Sequence, residues 1–382
     1  MHRIAVAWLT WEMTHSAFWV GLMAFADLAP AVIASPIAGA VADRVDRVWL
    51  CQVSQAAIAL EATIVALLTA TGLIRVELLL ALELMNGVSA SFSQPARQSL
   101  LPGVVGLPEL PAAVACNSLL YNIARFVGPG LAGPVIGLYG VVPAIAANAV
   151  CYALAVASNA LLRIEPAARQ GHKATGSLWA EMLEGLRYAA RHPGLGPLFL
   201  FAALTALLLR GVQEILPPFV ERVFLRGAES LALLTASFGI GALIAGLWVV
   251  QRGRLTGTTR LVVVASALQA VATAGFVATG WFGMGLACAA AMGATASMHG
   301  ICVQQLAQTA ADPAMRGRVI SLWGLISRGF PAAGALGLGA AGEVFGLRWP
   351  VLVAVGLFVF ALAWGLGRLP GMRRALEQPA AG

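Results

Sequence analysis

Charge is scarce in this sequence. Asp, Glu, Lys and Arg make up 11% of the 382 residues, against 59% that are hydrophobic. A water-soluble domain of this length cannot cover its surface with so few charges, so that class is excluded. The five cysteines (Cys51, Cys116, Cys151, Cys288, Cys302) all fall in apolar stretches and none forms C-x-x-C. They read as small buried residues, which excludes a disulfide framework and a cysteine-based zinc site. No G-x-x-x-x-G-K-[ST] occurs, so ATP is not the expected energy source. Neither H-E-x-x-H nor G-x-S-x-G is present, and no enzyme, catalytic residue, metal ligand or cofactor is expected. Met1-His-Arg lacks a basic leader region and no small-residue cleavage site follows, so no secretory signal is expected.

What the chain does have is long apolar runs, and a mean hydropathy of +0.84. They fall at 4–16, 18–42, 49–74, 77–101, 112–138, 141–163, 195–217, 229–250, 260–279, 281–306, 318–341 and 349–368. Most have the roughly 20 residues that a helix needs to cross a bilayer. Helices are the expected form, because an unpaired backbone group in lipid costs several kcal/mol. The formal charge of +7 might suggest nucleic acid, but the basic residues sit in short loops, where they set topology instead. Of the 24 Lys and Arg residues, sixteen fall on one side of the alternation and four on the other. The basic side faces the cytoplasm, which places the C-terminus inside.

Residues 164–194 divide the runs into two sets of six. Within this stretch Trp179, Met182, Leu183 and Leu186 recur at helical spacing opposite Glu181, Glu184 and Arg187, predicting an amphipathic helix on the inner membrane surface. The two sets also look like repeats. Ser118 to Arg125 and Ser321 to Arg328 share Ser, Leu, Ile and Arg at an offset of 203 residues, and each run continues through glycines to a Gly and then a Pro. Two six-helix bundles related by an axis along the membrane normal would give this pattern.

The nonapeptide from Gly39 to Arg47, with Asp43 and Arg44 between, has the spacing G-x-x-x-D-R-x-x-R. Placed between the second and third runs, it resembles the signature loop of the major facilitator superfamily. Arg125-Phe-Val-Gly128-Pro129-Gly-Leu-Ala-Gly133 resembles that superfamily's fifth-helix antiporter motif. The stretches Pro95 to Pro102 and Trp179 to Arg187 look like the enterobactin-exporter-like branch, which also includes macrolide exporters. The resemblance implies an all-α membrane fold of two six-helix bundles related by a pseudo-two-fold axis: 1–163, a linker at 164–194, a second bundle at 195–370 and a cytoplasmic tail at 371–382. It implies alternating-access export of a small amphiphilic molecule, a drug, siderophore or similar, by proton antiport from a monomer in the cytoplasmic (inner) membrane. Gly39, Asp43, Arg44 and Arg47 would form a conformational latch. Arg125, Gly128, Pro129 and Gly133 would form a flexible fifth helix.

The chain departs from the pattern in three places. Where the superfamily's fourth helix has an Arg four residues before Gly87, this sequence has Glu83. The second-half latch has Gln251 in place of Asp. The first run spans about 20 Å as a helix against a hydrocarbon core of about 30 Å, so Met1 is expected mid-membrane, by a missing half-helix or a shortened one. A transport-dead scaffold or sensor of the same fold, or a lysophospholipid transporter, are the alternatives.

Ionisable residues within bilayer segments usually face a cavity or a partner. Asp27, near the midplane of the second run, is the first candidate for a proton or cation site. Glu61, Glu83 and Arg328 are further proton or substrate candidates. Glu12 is expected to be solvated, Arg210 and Glu214 to pair locally, and His299 to pack between helices.

Overall fold

The computed structural model describes residues 2–161, 178–312 and 315–377, with side chains throughout except most of those within 32–44 and 95–133 and those at 178–181. Among these residues the regular structure is helical, without strands. The helices are α1 (His2–Thr14), α2 (Ala17–Arg44), α3 (Arg47–Ala70), α4 (Val76–Tyr139), α5 (Val141–Ala160), α6 (Leu178–Arg191) and α7 (Leu195–Arg222). They continue with α8 (Ala228–Arg252), α9 (Thr258–Ala278), α10 (Phe282–Ala310), α11 (Arg316–Phe345) and α12 (Arg348–Glu377). Nine helices among the described residues are long and apolar enough to cross a membrane.

Among the described residues each predicted run lies for most of its length on a helix; the runs at 4–16 and 49–74 end as helix at Thr14 and Ala70, and two further differences bear on the layout. The runs at 77–101 and 112–138 share one helical stretch, α4, whose backbone carries on through the connection between them. The last helix continues to Glu377, through Pro370 and past the expected end of its run at 368. Glu377 explains the extension. Its carboxylate accepts from the backbone N–H groups of Gly257 and Thr259, both at 2.7 Å, capping the start of α9.

Burial is inverted relative to a soluble protein. Leu67, Leu154, Val250 and Phe360 are exposed, whereas Glu61, Glu83, Asn86, Gln269 and His299 are buried. An outward apolar face with inward polar groups suits a chain whose surroundings are lipid, where only internal partners can satisfy polar atoms.

The chain forms two compact units, Met1–Thr14 with Ala26–Leu178, and His15–Phe25 with Trp179–Gly382. Helix α2 contributes to both. In the first unit, a Cβ on Gly87 of α4 would lie 2.5 Å from the carbonyl oxygen of Asp27. Only glycine lets α4 approach α2 this closely, and the contact falls beside Asp27. In the second unit, the first half of α2 packs on α11. A Cβ on Gly21 would lie 2.5 Å from the Ala335 carbonyl oxygen, and the Ala17 N–H donates to Glu343 at 3.0 Å. The core of this second unit gathers Leu195, Leu198, Phe201, Trp323 and Phe358.

The expected amphipathic helix is α6. Its Ala189 joins that core, while Leu183 and Leu186 are exposed. Gly185 lets the Arg318 stem lie against the helix, Glu184 pairs with Arg318 at 2.9 Å, and Tyr188 Oη accepts from the Asp312 N–H at 3.1 Å.

Candidate functional site

Helix α3 is capped at its start by Asp46, whose side chain accepts from the N–H groups of Val48 and Trp49 at 2.7 and 3.1 Å. Its buried face then runs through Ser54, Ile58, Glu61, Ala62 and Val65. This spacing places Glu61 on the inner stripe rather than toward lipid. On α4, Leu79, Glu83 and Asn86 follow at helical spacing and are buried as well. Helix α1 supplies His2 and Arg3, and α2 supplies Asp27. Four helices of the first unit thus deliver six polar side chains to one place.

Two linked groups result. Arg3 donates through Nε and Nη2 to one oxygen of Asp27, at 2.9 and 2.6 Å. The other Asp27 oxygen accepts from Asn86 Nδ2 at 3.4 Å. The Arg3 side chain is half exposed, and that of Asp27 is 15% exposed, so this pair forms the open edge. Deeper lies the second group. His2 Nε2 sits 2.9 Å from a Glu83 oxygen and 3.6 Å from a Glu61 oxygen. Glu61 is fully buried, and neither of its oxygens accepts a hydrogen bond from a described residue.

Three carboxylates therefore meet one fixed cation and one imidazole. Such a site is charge-deficient. It calls for added positive charge, as protons or a cation, because an unpaired carboxylate in a low-dielectric interior is strongly disfavoured.

Sequence reasoning named Asp27, Glu61 and Glu83 separately, and the structure brings all three together. It missed His2, the role of Arg3, and Asn86. The i, i+3 relation of Glu83 to Asn86 was a readable signal, whereas nothing local marks His2. Arg328 lies half-buried on α11 of the second unit, with no side-chain hydrogen bond or ion pair among the described residues. Glu12 is exposed and accepts from Trp8 Nε1. Of the residues expected to form a latch, Arg47 is the first residue of α3, while the Gly39, Asp43 and Arg44 side chains lie outside the described ones. In the fifth-helix motif, Gly128 is half-buried within α4, and Arg125, Pro129 and Gly133 lie outside the described side chains. At the second-half counterpart of that sequence, Arg252 Nη2 donates to the Thr256 carbonyl at 2.6 Å, within its own loop.

The second unit has its own buried polar line. His299 Nδ1 lies 2.8 Å from Ser266 Oγ, and Thr205 donates to the same hydroxyl at 3.5 Å. His299 is thus held between α7, α9 and α10. Just beyond Thr205, α7 changes to a π turn, Ala206–Arg210, and then a 3-10 turn, Gly211–Ile215. Arg210 and Glu214 occupy these two turns.

Comparison with known proteins agrees with the helical layout. Residues 1–381 match the family model described as transmembrane secretion effector. The staphyloferrin A transporter of Staphylococcus aureus is 23% identical over 90% of this chain and 86% of its own length. The multidrug efflux pump Tap of Mycolicibacterium fortuitum is 26% identical over 96% of this chain and 88% of its own. The enterobactin exporter EntS of Citrobacter koseri has the same identity and coverage. Among solved structures, the nucleoside transporter NupG superimposes with a TM-score of 0.71 at 13% identity, over 96% of this chain and 94% of its own. These neighbours are transporters rather than enzymes. The chain is a multi-pass membrane protein that belongs to the transmembrane secretion effector family of the major facilitator superfamily.

Proposed function

We propose that this chain exports a small amphiphilic molecule, a drug, siderophore or similar, by alternating access in exchange for protons. The relatives whose names specify drug or siderophore transport support the substrate class. The observation that carries the coupling is the Arg3–Asp27 pair at the open edge of a buried, acid-rich cluster. Protonation of Asp27 removes the charge that holds Arg3 and frees α1 from α2 at this point. Loss of the proton restores the pair. The charged and titratable groups around Asp27 are Arg3 and His2 from α1, Glu61 from α3 and Glu83 from α4, with Asn86 as a neutral donor. A cationic or hydrogen-bonding substrate would compete with the proton for the same carboxylate.

In this reading residues 1–163 and 195–370 are the two bundles, 164–194 the linker and 371–382 a cytoplasmic tail. Asp43, Arg44 and Arg47, with Gly39 against the neighbouring helix, latch the cytoplasmic side. Arg125, Gly128, Pro129 and Gly133 give the fifth helix its freedom to bend. The protein works as a monomer in the cytoplasmic membrane. Efflux of a fluorescent lipophilic cation, driven by a proton gradient in inverted vesicles, tests the reading. Asp27→Asn is expected to lower gradient-driven transport at least tenfold at unchanged membrane abundance. Equal transport by this variant would overturn the assignment of Asp27.

A further inference from the structure

We propose that His2, Glu61 and Glu83 form a binding site for a divalent transition-metal ion of the zinc class. The inference does not rest on the transport reading. One ligand atom from each residue lies within 4.8 Å of the others. In a tetrahedral zinc site, metal–ligand bonds of about 2.0–2.2 Å place neighbouring ligand atoms about 3.3 Å apart. The His2–Glu83 and His2–Glu61 separations, 2.9 and 3.6 Å, bracket that edge. Small side-chain adjustments would therefore seat an ion without moving a helix.

The buried polar atoms argue the same way. Glu61 is fully buried on the inner face of α3, and both its oxygens lack a hydrogen-bond donor among the described residues. His2 is more than nine-tenths buried, and its Nδ1 also has no hydrogen-bond partner among the described residues. An imidazole can donate one Nε2 proton to one carboxylate, which leaves the other unserved. A divalent ion at the centre satisfies both carboxylates and the imidazole nitrogen at once.

The ligand set decides the ion. One nitrogen and two carboxylates, without thiolate, disfavour Cu(I). The imidazole favours Zn2+, Co2+ and Fe2+ over Mg2+ and Ca2+, which prefer all-oxygen cages. Three protein ligands leave a fourth position open, as in zinc sites that take water or a ligand group. The ion would tie α1, α3 and α4 together. The Arg3–Asp27 pair lies on the more exposed side of the cluster and marks the way in.

The test uses the full chain, purified in nanodiscs with a tag that contains no histidine. Co2+ is added as a spectroscopic stand-in for Zn2+. Intense visible d–d bands that saturate at one ion per chain, and that Zn2+ abolishes, are expected. His2→Gln, Glu61→Gln and Glu83→Gln should each weaken binding by about 100-fold or more, beyond the effect of losing an outer-shell partner. Glu12→Gln, on the exposed face of α1, should bind as the parent does. Zn2+ should raise the thermal midpoint of the parent and of Glu12→Gln, but not of the three ligand variants. Absence of the bands in a monodisperse parent protein overturns the site, and leaves a shared proton as the occupant. So does binding that survives all three substitutions, or a thiolate charge-transfer band that vanishes with the cysteines.

Discussion

At the residue scale, Glu61 is a carboxylate in a packed interior that accepts no hydrogen bond from a described residue. Met has a similar length and unbranched shape without the charge. With metal removed by chelator, Glu61→Met is expected to stabilise the fold by about 1–3 kcal/mol, the range in which apolar replacement of buried charge is favourable. Thermal unfolding in detergent reads this out, and a lower midpoint would show that Glu61 has a stabilising partner. His192 offers a second test, outside the membrane. Its Nδ1 accepts from the N–H groups of Gly194 and Leu195, both at 3.1 Å, at the start of α7. Burial pushes this imidazole below its usual 6.5. The folded state thus prefers the neutral ring, and the unfolded state binds more protons as pH falls through that value. The stabilisation from His192 should be full above about pH 6.5 and lost below it. His192→Asn, compared with the parent across this range, should show a stability difference that shrinks as pH drops. A difference independent of pH would mean that the ring's protonation is not linked to folding.

At the element scale, glycine sets how closely helices can cross. A Cβ on Gly293 of α10 would run into the Phe238 carbonyl oxygen, and one on Gly241 of α8 into that of Ala290. Both obstacles are backbone, so neither can swing aside. Gly293→Ala is expected to cost about 1–3 kcal/mol or more as the two helices separate. Gly300→Ala, on the same helix with open space around it, should be neutral or slightly stabilising through helix propensity. Comparable thermal midpoints for the two variants would refute this tight crossing. Such pairings also mark the limit of what could be read from the sequence. The helices were legible, because continuous apolar runs of about 20 residues cross lipid as helices rather than as the shorter alternating strands of a barrel. Asp27, Glu61 and Glu83 were legible as unusual charges. Their convergence was not, because it depends on which face of each helix turns inward and on Gly87 admitting α2 to α4. His2 was invisible for a related reason: a histidine in the first turn of a helix carries no periodic signal, and its role comes entirely from α3 and α4. The continuation of α12 past Pro370 was hidden in the same way, since it depends on Glu377 meeting the start of α9.

At the scale of the whole molecule, the sequence repeat and its uneven latches bear on how a transport cycle would be held. The first latch sequence keeps Asp43, Arg44 and Arg47, while its counterpart has Gln251 and an Arg252 that bonds within its own loop. A latch stabilises one conformation only if its charges separate in the other, so its worth is a difference between states. A coupling of about 1–3 kcal/mol shifts a two-state population by about 5–150-fold. If the cytoplasmic side is held chiefly by the first latch, Asp43→Asn removes most of that bias. Export then falls because one of the two states required for turnover is depleted, although substrate can still bind. Asp43→Asn is therefore expected to lose gradient-driven efflux by tenfold or more, with normal membrane insertion and substrate affinity. Gln251→Glu, which places a carboxylate in the second-half latch, should leave efflux within about twofold, because its Arg252 already has a partner in the Thr256 carbonyl. Vesicle efflux and equilibrium substrate binding, measured on the same preparations, separate the two effects. Unchanged efflux in Asp43→Asn would remove the latch from the mechanism. A loss of substrate affinity equal to the loss of efflux would place Asp43 in substrate binding instead.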